Sequence, residues 1–303
     1  MEKETIYDVI IIGGSYAGLS AAMALGRSLR NVLIIDAGEP CNRQTPHSHN
    51  FLTKDGETPN AISQIAKAQV LAYPTINFLE GTVNEAKQTA QGFSVSTNSG
   101  ESFNARKLII TTGIKDIFPD IKGFAECWGI TVLHCPYCHG YEVKHEDIGI
   151  IANGDAAFEF CKLIYNWTKN LTLFTNGKST LSAAQTAKLT AKNINIVEKE
   201  IEELVNDNGQ LKHILFKDET IHPLKAIFAR GTLEQHGTFA NDLGCELMDS
   251  SYIKVNEMQE TSIKGVFAAG DCSVMMRSVA LSVSGGNMAG AIANKQLLEE
   301  DFE

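Results

Sequence analysis

The sequence predicts an α/β fold with two nucleotide-binding-type βαβ units. Three observations carry the prediction. A strand, glycine turn, helix and second strand follow one another over residues 7–36, a weaker copy of the pattern opens near residue 148, and each strand reads as a short apolar run of the buried parallel kind. In order, residues 7–12 are a continuous apolar run of strand length. Residues 13–18 are a tight turn, residues 17–29 are rich in Ala, Leu and Met as a helix should be, and residues 32–35 are a second buried strand closed by Asp36. Residues 93–97 and 107–111 read as further strands of the same sheet. In the second unit, strand 148–152, turn 153–155, helix 156–167 and strand 171–174 repeat the order. Residues 265–270 ("GVFAAG") form another short buried strand ending at Asp271, and apolar and small residues recur at helical spacing over 278–298.

A chain of 303 residues has room for two cores. With 44% hydrophobic and 20% charged residues it has the composition of a globular protein. Acidic residues outnumber basic ones by 36 to 26, a formal charge of −10, which repels a phosphate backbone or an anionic membrane surface; no nucleic acid or membrane partner is expected. The N-terminus is charged, the apolar run 9–12 breaks at Gly13 before it could serve as a signal-peptide core, and no run approaches a membrane span. The expectation is a cytoplasmic protein. Seven cysteines argue against a secreted disulfide framework; Cys41, Cys127, Cys161, Cys245 and Cys272 stand alone and read as small buried hydrophobes, and only Cys135 and Cys138 form a pair.

In the first turn, Gly13 takes the tight bend, Ser15 stands where a second glycine is usual, and Gly18 lets the helix approach the strand. Small residues are needed because backbone N–H groups and a helix N-terminus must touch a pyrophosphate. Asp36 lies at the end of the second strand, placed to accept from a ribose hydroxyl and to repel a 2′-phosphate, which points to FAD or NAD rather than NADP. The second turn, Ala152-Asn153-Gly154-Asp155, has an alanine in place of the first glycine. After the next strand, Thr175-Asn176-Gly177-Lys178 offers neither arginines for a 2′-phosphate nor an acid for a ribose. A bare βαβ scaffold accounts for these residues at least as well as an NAD(P)H site.

The stretch "HCPYCHGYE" (134–142) admits three chemistries. Two thiols with His134 or His139 could be part of a zinc site, although the second ligand pair of closed sites is missing. Cys-Pro-Tyr-Cys also occurs in glutaredoxin-like domains, but there it follows the first strand of a small fold and not some 130 residues of another unit. In the third reading the pair relays two electrons between a thiol substrate and a flavin, with His134 and His139 handling protons. His47 and His49 lie in a loop that could line a substrate entrance.

Four stretches carry a family resemblance: Gly13-Gly14-Ser15-Tyr16-Ala17-Gly18, Thr111-Thr112-Gly113, the Cys135–Cys138 pair, and "YIKVNEMQETSIKGVFAAGDC" (252–272). Together they make the whole chain similar to the thioredoxin-reductase family of FAD-dependent pyridine nucleotide-disulfide oxidoreductases. The resemblance implies two three-layer Rossmann-like domains, one inserted in the other: an FAD domain of residues 1–114 plus 243–303, and a 115–242 insert carrying the dithiol. It implies that the pyrophosphate lies on residues 13–18 and that Asp36, Ala37 and Gly38 serve the adenosine ribose. Val83 would meet the adenine through its backbone, and the loop 42–50, with Arg43 and Asn50, would wrap the cofactor. Thr112 and Gly113 would lie at the domain crossing, Gly270 and Asp271 at the ribityl chain, and Arg277-Ser278-Val279 would open a helix facing the flavin pyrimidine. Cys138 would face the flavin and Cys135 exchange with substrate, in a homodimer without metal.

Two departures, the degraded second turn and His139 where reductases carry an acid, are more similar to the gliotoxin- and holomycin-type dithiol oxidases. The function expected is therefore an FAD-dependent thiol–disulfide oxidoreductase running as a dithiol oxidase, with His139 taking the substrate proton and oxygen the electrons. The competing readings are an NAD(P)H- or donor-protein-dependent disulfide reductase, acting on a small molecule or a thioredoxin-like protein, and a zinc- or nucleotide-binding regulator.

Overall fold

The computed structural model describes residues 6–303; the charged residues 1–5 discussed above lie outside it. The fully apolar runs become buried parallel strands. β1 (Ile6–Ile12) and β2 (Val32–Asp36) flank α1 (Tyr16–Arg27), and α2 (Pro59–Leu71), capped by Thr58, leads into β3 (Ile76–Glu80). β4 (Val83–Thr89), β5 (Gly92–Thr97) and β6 (Ser102–Ile110) form an antiparallel meander, after which β7 (Ile114–Ile117) leaves the sheet. Next come α3 (Phe124–Cys127), β8 (Val132–Leu133) and the one-turn helix α4 (Pro136–His139), then β9 (Ile148–Ile151), α5 (Gly154–Ile164), β10 (Leu171–Phe174), α6 (Ala183–Thr190) and β11 (Asn195–Val197). A second meander of β12 (Ile201–Asp207), β13 (Gln210–Phe216) and β14 (Ile221–Pro223) is followed by β15 (Ala226–Ala229) and β16 (Thr232–Gln235). The chain closes with α7 (Phe239–Asp242), β17 (Val266–Ala268) and α8 (Val279–Phe302).

Two Rossmann-like three-layer units result. The first sheet has the order β3-β2-β1-β6-β5-β4, with β17 added in parallel to the C-terminal half of β6. Val9 and Ile11 of β1 point into a core with Leu19 and Leu25 of α1 and Ala289, Ala293 and Leu297 of α8. Ile10 and Ile12 point the other way, onto the meander and Phe239, Leu243 and Ile253. Both faces are covered, so every β1 position from 9 to 12 is apolar and the strand shows no alternation. The second sheet, β11-β10-β9-β15-β8, is wholly parallel, with α5 and α6 on one face and the second meander on the other.

The two units are joined by an antiparallel ribbon, β7 leaving and β16 returning, in register from Ile114↔Gln235 to Ile117↔Thr232. The ribbon and both meanders carry mixed charge and weak alternation, and sequence patterning did not single out most of their strands. α5 starts at Gly154, two residues before the expected start, because the Asn153 side chain caps it; α8 runs on to Phe302. Among the described residues no helix is long and apolar enough to cross a membrane.

Candidate active site

At the first turn the backbone leaves no choice of residue. Gly13 has φ +104°, and a Cβ there would lie 2.4 Å from Thr111 O. A Cβ on Gly18 would sit 1.9 Å from Gly13 O, so α1 can pack against the turn only through glycine. Thr111 Oγ donates to Ile12 O at 3.0 Å and to Gly13 O at 2.7 Å, tying β6 to the turn. Ser15 stands at the N-cap of α1 but makes no side-chain capping bond, so the first-turn N–H groups stay available. Asp36 accepts from Gly14 N at 2.7 Å and from Gly38 N at 3.1 Å, which fixes its carboxylate beside the turn. Gly38 and Gly113 both take positive φ, and a Cβ on either would meet nothing within 4 Å: they border open space at the ends of β2 and β6.

The other residues expected around a cofactor lie on the segments that would border a cofactor trough here. Ala37 is exposed beside Gly38, and Thr112 is half-buried beside Gly113. The loop 42–50 is held to α1 by Asn42 Nδ2 donating to Tyr16 Oη at 3.2 Å, while Tyr16 Oη donates to Pro59 O at 3.3 Å. Arg43 donates only to Pro40 O. Asn50 bends the loop at φ +62°, its N–H held by Asp55. Val83 is buried at the start of β4, opposite Thr97, with its side chain in the core.

At the far end of the trough, Gly270 (φ +79°) turns the chain after β17 and sets Asp271 in place. Asp271 accepts from Arg277 Nε at 3.2 Å, from Ser282 Oγ at 3.4 Å and from the Cys41 thiol at 3.7 Å. Burial pushes the Asp271 carboxyl up, against the pull of Arg277. The same arginine donates to both oxygens of Asp116 on β7, at 2.8 and 2.9 Å. Gln235 of β16 donates to Ser251 O and Cys272 O, so both strands of the ribbon are anchored to the first unit. Ser278 caps α8 by accepting from Leu281 N, and Val279 is its first residue. Cys41 departs from the sequence expectation: it is exposed and no core residue, and it reaches Asp271 from the loop, where that carboxylate pushes its thiol up. Cys127, Cys161, Cys245 and Cys272 are buried.

The dithiol lies where β8 ends. Cys135 is the N-cap of α4, with Pro136 at the first helical position, and the Cys138 thiol donates to the Cys135 sulfur at 2.8 Å. That bond, outweighing burial and helped by the Tyr137 and Cys138 N–H groups and by Arg230, holds Cys135 down to about 7, while donation to Cys135 and burial push Cys138 up. Cys138 feels both Asp271 and Arg277, so the pair stands at the Asp271 end of the trough. Burial, then Arg277, holds His134 down to about 4, and it stacks on Trp128 with ring centroids 5.7 Å apart. Burial likewise holds His139 at about 4, against the opposing pull of Glu142. Both imidazoles are neutral at pH 7, well below the 6.5 expected of a free ring. His49 brings the cofactor-side loop to the dithiol side, with Nε2 3.5 Å from Glu142 and Nδ1 3.6 Å from Asp55; His47 bonds within its own loop, to Gly56 O. Among the described residues no three His, Cys, Asp or Glu side chains converge as a metal site.

The second turn is filled from within. Asn153 Oδ1 accepts from Gly154 N at 2.9 Å, Thr180 N at 2.8 Å and Thr180 Oγ at 3.1 Å, while Nδ2 donates to Lys178 O at 3.0 Å and Thr175 O at 3.4 Å. The helix N-terminus and the loop after β10 are thereby bound to each other. The sequence shows the missing glycine and arginines but not this plug; the available signal was Asn at an N-cap position, among the best capping residues. Asp116 and Gln235 were missed because their partners lie far off in sequence.

The pyridine nucleotide-disulphide oxidoreductase family model matches residues 7–289. The thioredoxin reductase sirT of Leptosphaeria maculans is 33% identical, covering 98% of this chain and 96% of its own. The oxidoreductase of Agrobacterium tumefaciens is 39% identical with a TM-score of 0.91, over 97% of this chain and 99% of that one. HlmI is 29% identical with a TM-score of 0.93, over 100% and 96%. With the glycine turn, the dithiol and the two-unit fold in one chain, these likenesses make the protein a member of the pyridine nucleotide-disulphide oxidoreductase family, an FAD-dependent enzyme of the thioredoxin-reductase type.

Proposed function

We propose that the protein oxidises dithiols, drawing two electrons through Cys135 and Cys138 to FAD and on to oxygen. The observation that carries the direction is the second turn, where the Asn153 side chain takes up the Gly154 and Thr180 N–H groups and lies where a nucleotide phosphate would meet the helix start. The first turn supports FAD by contrast: an uncapped helix N-terminus for the pyrophosphate, open space beside Gly38 and Gly113, and carboxylates at both ends of the trough, Asp36 for the ribose and Asp271 for the ribityl chain. Gly13 to Gly18, Ala37, Arg43, Asn50, Val83, Thr112, Gly270 and the Arg277-Ser278-Val279 helix start complete the cofactor set in this reading. The domain division belongs to it too, and is supported by the ribbon at 114–117 and 232–235.

Bound FAD supplies a two-electron acceptor; the rest is done by the chain. A substrate thiolate attacks Cys135 of the Cys135–Cys138 disulfide, and the electron pair of the broken bond goes to Cys138. The second substrate thiolate attacks the first substrate sulfur, closing the product disulfide and releasing Cys135 as a thiolate. His139, neutral at rest, takes up a proton once negative charge appears on the neighbouring sulfur, because a nearby anion favours imidazolium. Arg277, through Asp116, holds the ribbon so that the dithiol stays at the Asp271 end. A homodimer in the cytoplasm completes the reading, and two-chain mass in light scattering tests the first part.

Anaerobic titration of the purified protein with dithiothreitol, NADPH and NADH separately tests the direction. Dithiothreitol should bleach the flavin and NADPH should leave it coloured. Fast, saturable bleaching by NADPH overturns the oxidase reading in favour of a reductase.

A further inference from the structure

Arg230 follows β15, which lies beside β8 in parallel register, Ile227↔Val132 and Phe228↔Leu133. The ladder ends at Phe228↔Leu133, and two residues further on Arg230 and Cys135 leave the same end of the sheet, Arg230 lying near enough to favour the Cys135 thiolate. The other five arginines each have a hydrogen bond or ion pair: Arg27 with Tyr73, Arg30 with Asp301, Arg43 with Pro40, Arg106 with Glu300, Arg277 with Asp116. Arg230 has none among the described residues. Its guanidinium lies over the Phe160 ring, 4.7 Å from the centroid, and the side chain is exposed. Stacking holds such a group in place while leaving its edge N–H groups free to donate. An unpaired arginine beside an exchange sulfur, in a chain of net charge −10, is a site for an anion.

We propose that Arg230 is the thiolate-binding cation of the active site, holding the negative charge that appears on the Cys135 sulfur when its bond to the substrate breaks. This rests on the dithiol-oxidase reading of the same cysteines. It acts in the second exchange: the substrate's remaining thiolate forms the product S–S bond, the bond from substrate sulfur to Cys135 breaks, and the departing electron pair lands on Cys135 beside the guanidinium. The Cys135–Cys138 disulfide would then re-form as bound FAD took up the two electrons. The groups facing Cys135 are consistent: the Cys138 thiol and the Tyr137 and Cys138 N–H groups from α4, and Arg230 from the residue after β15, all favour the anion. His134, which also feels Arg230, is held neutral. Cys138 has the buried carboxylate of Asp271 nearby as well as Arg277. The asymmetry makes Cys135 the sulfur that exchanges.

The test is the pH dependence of iodoacetamide alkylation of Cys135 in the dithiothreitol-reduced holoenzyme, with Arg230→Gln and Arg230→Lys, flavin absorbance serving as the check on folding. Arg230→Gln should raise the alkylation midpoint by about one pH unit, a tenfold loss of thiolate at neutral pH, and lower dithiothreitol-dependent turnover in step. Arg230→Lys should restore both. An unchanged midpoint in Arg230→Gln overturns the proposal, and so does an Arg230→Lys midpoint shifted as far as that of Gln, since packing on Phe160 and not charge would then be what mattered. Failure of dithiothreitol to bleach the wild-type flavin sinks the oxidase reading, and the alkylation midpoints still judge Arg230.

Discussion

The two glycine turns share one architecture and differ in what occupies them. In the first, the Ser15 side chain makes no capping bond, so the N–H groups at the helix start stay open, while Asp36 accepts from Gly14 N and braces the turn. In the second, the N-cap is Asn where the first has Ser, and that amide takes the Gly154 N–H and ties the helix start to the loop after β10. A nucleotide fold need not lose its site by decay; one polar side chain of the right reach can make the site part of the protein's own hydrogen bonding.

The sharpest break of the comparison is at the glycines. Gly18→Val should strip the flavin and cost about 3 kcal/mol or more of stability, because its Cβ has no room against Gly13 O; a variant that keeps its colour and its denaturation midpoint would mean the first turn is not so tightly built. Cys138→Ser, between the two turns, should keep FAD yet lose dithiol-dependent turnover, and undiminished turnover in a stopped-flow assay would remove the relay. A pH series tests the same middle region. His134 and His139 have folded values of about 4 against 6.5, so the unfolded chain binds more protons below pH 6.5. Their stability is fully present above that pH and lost as pH falls toward 4, on the order of 2 to 3 kcal/mol for each, which urea melts between pH 7 and 4 would register.

At the second turn the effects shrink. Asn153→Ala should cost about 1 to 2 kcal/mol in chemical denaturation with the flavin spectrum unchanged. Asn153→Gly should also admit NADPH weakly, seen as quenching of its fluorescence or slow bleaching; strong NADPH binding by the wild type would erase the contrast. Smallest of all, Gly177→Ala should cost roughly 1 kcal/mol, since φ is +115° there but a Cβ meets nothing within 4 Å.

The first βαβ was legible because its apolar runs are unbroken and its glycines stand where packing forbids anything else. The 171–174 strand matches β10 end to end for the same reason. The meander β12-β13-β14 was not, because Glu202, Glu203 and Lys212 interrupt any clean alternation on half-buried strands. The dithiol was readable as a motif, whereas its setting was not. Cys41 meets Asp271 across 230 residues, Asp116 meets Arg277 across 161, and Arg230 comes near Cys135 only through the pairing of β15 with β8. Such contacts are made by topology, and local pattern carries no trace of them.

The ribbon has a consequence for the order of folding. The first sheet takes β17 onto β6, and α8 covers α1, so the N-terminal unit lacks a strand and the helix over one apolar face until the end of the chain has been made. The segment between the two ribbon strands is continuous and carries its own sheet and cores. On the ribosome the later-encoded unit can therefore finish first, while the earlier one waits with the α8 side of its Val9 and Ile11 core open. During synthesis, the unit with the first glycine turn is the one left open to chaperones and aggregation.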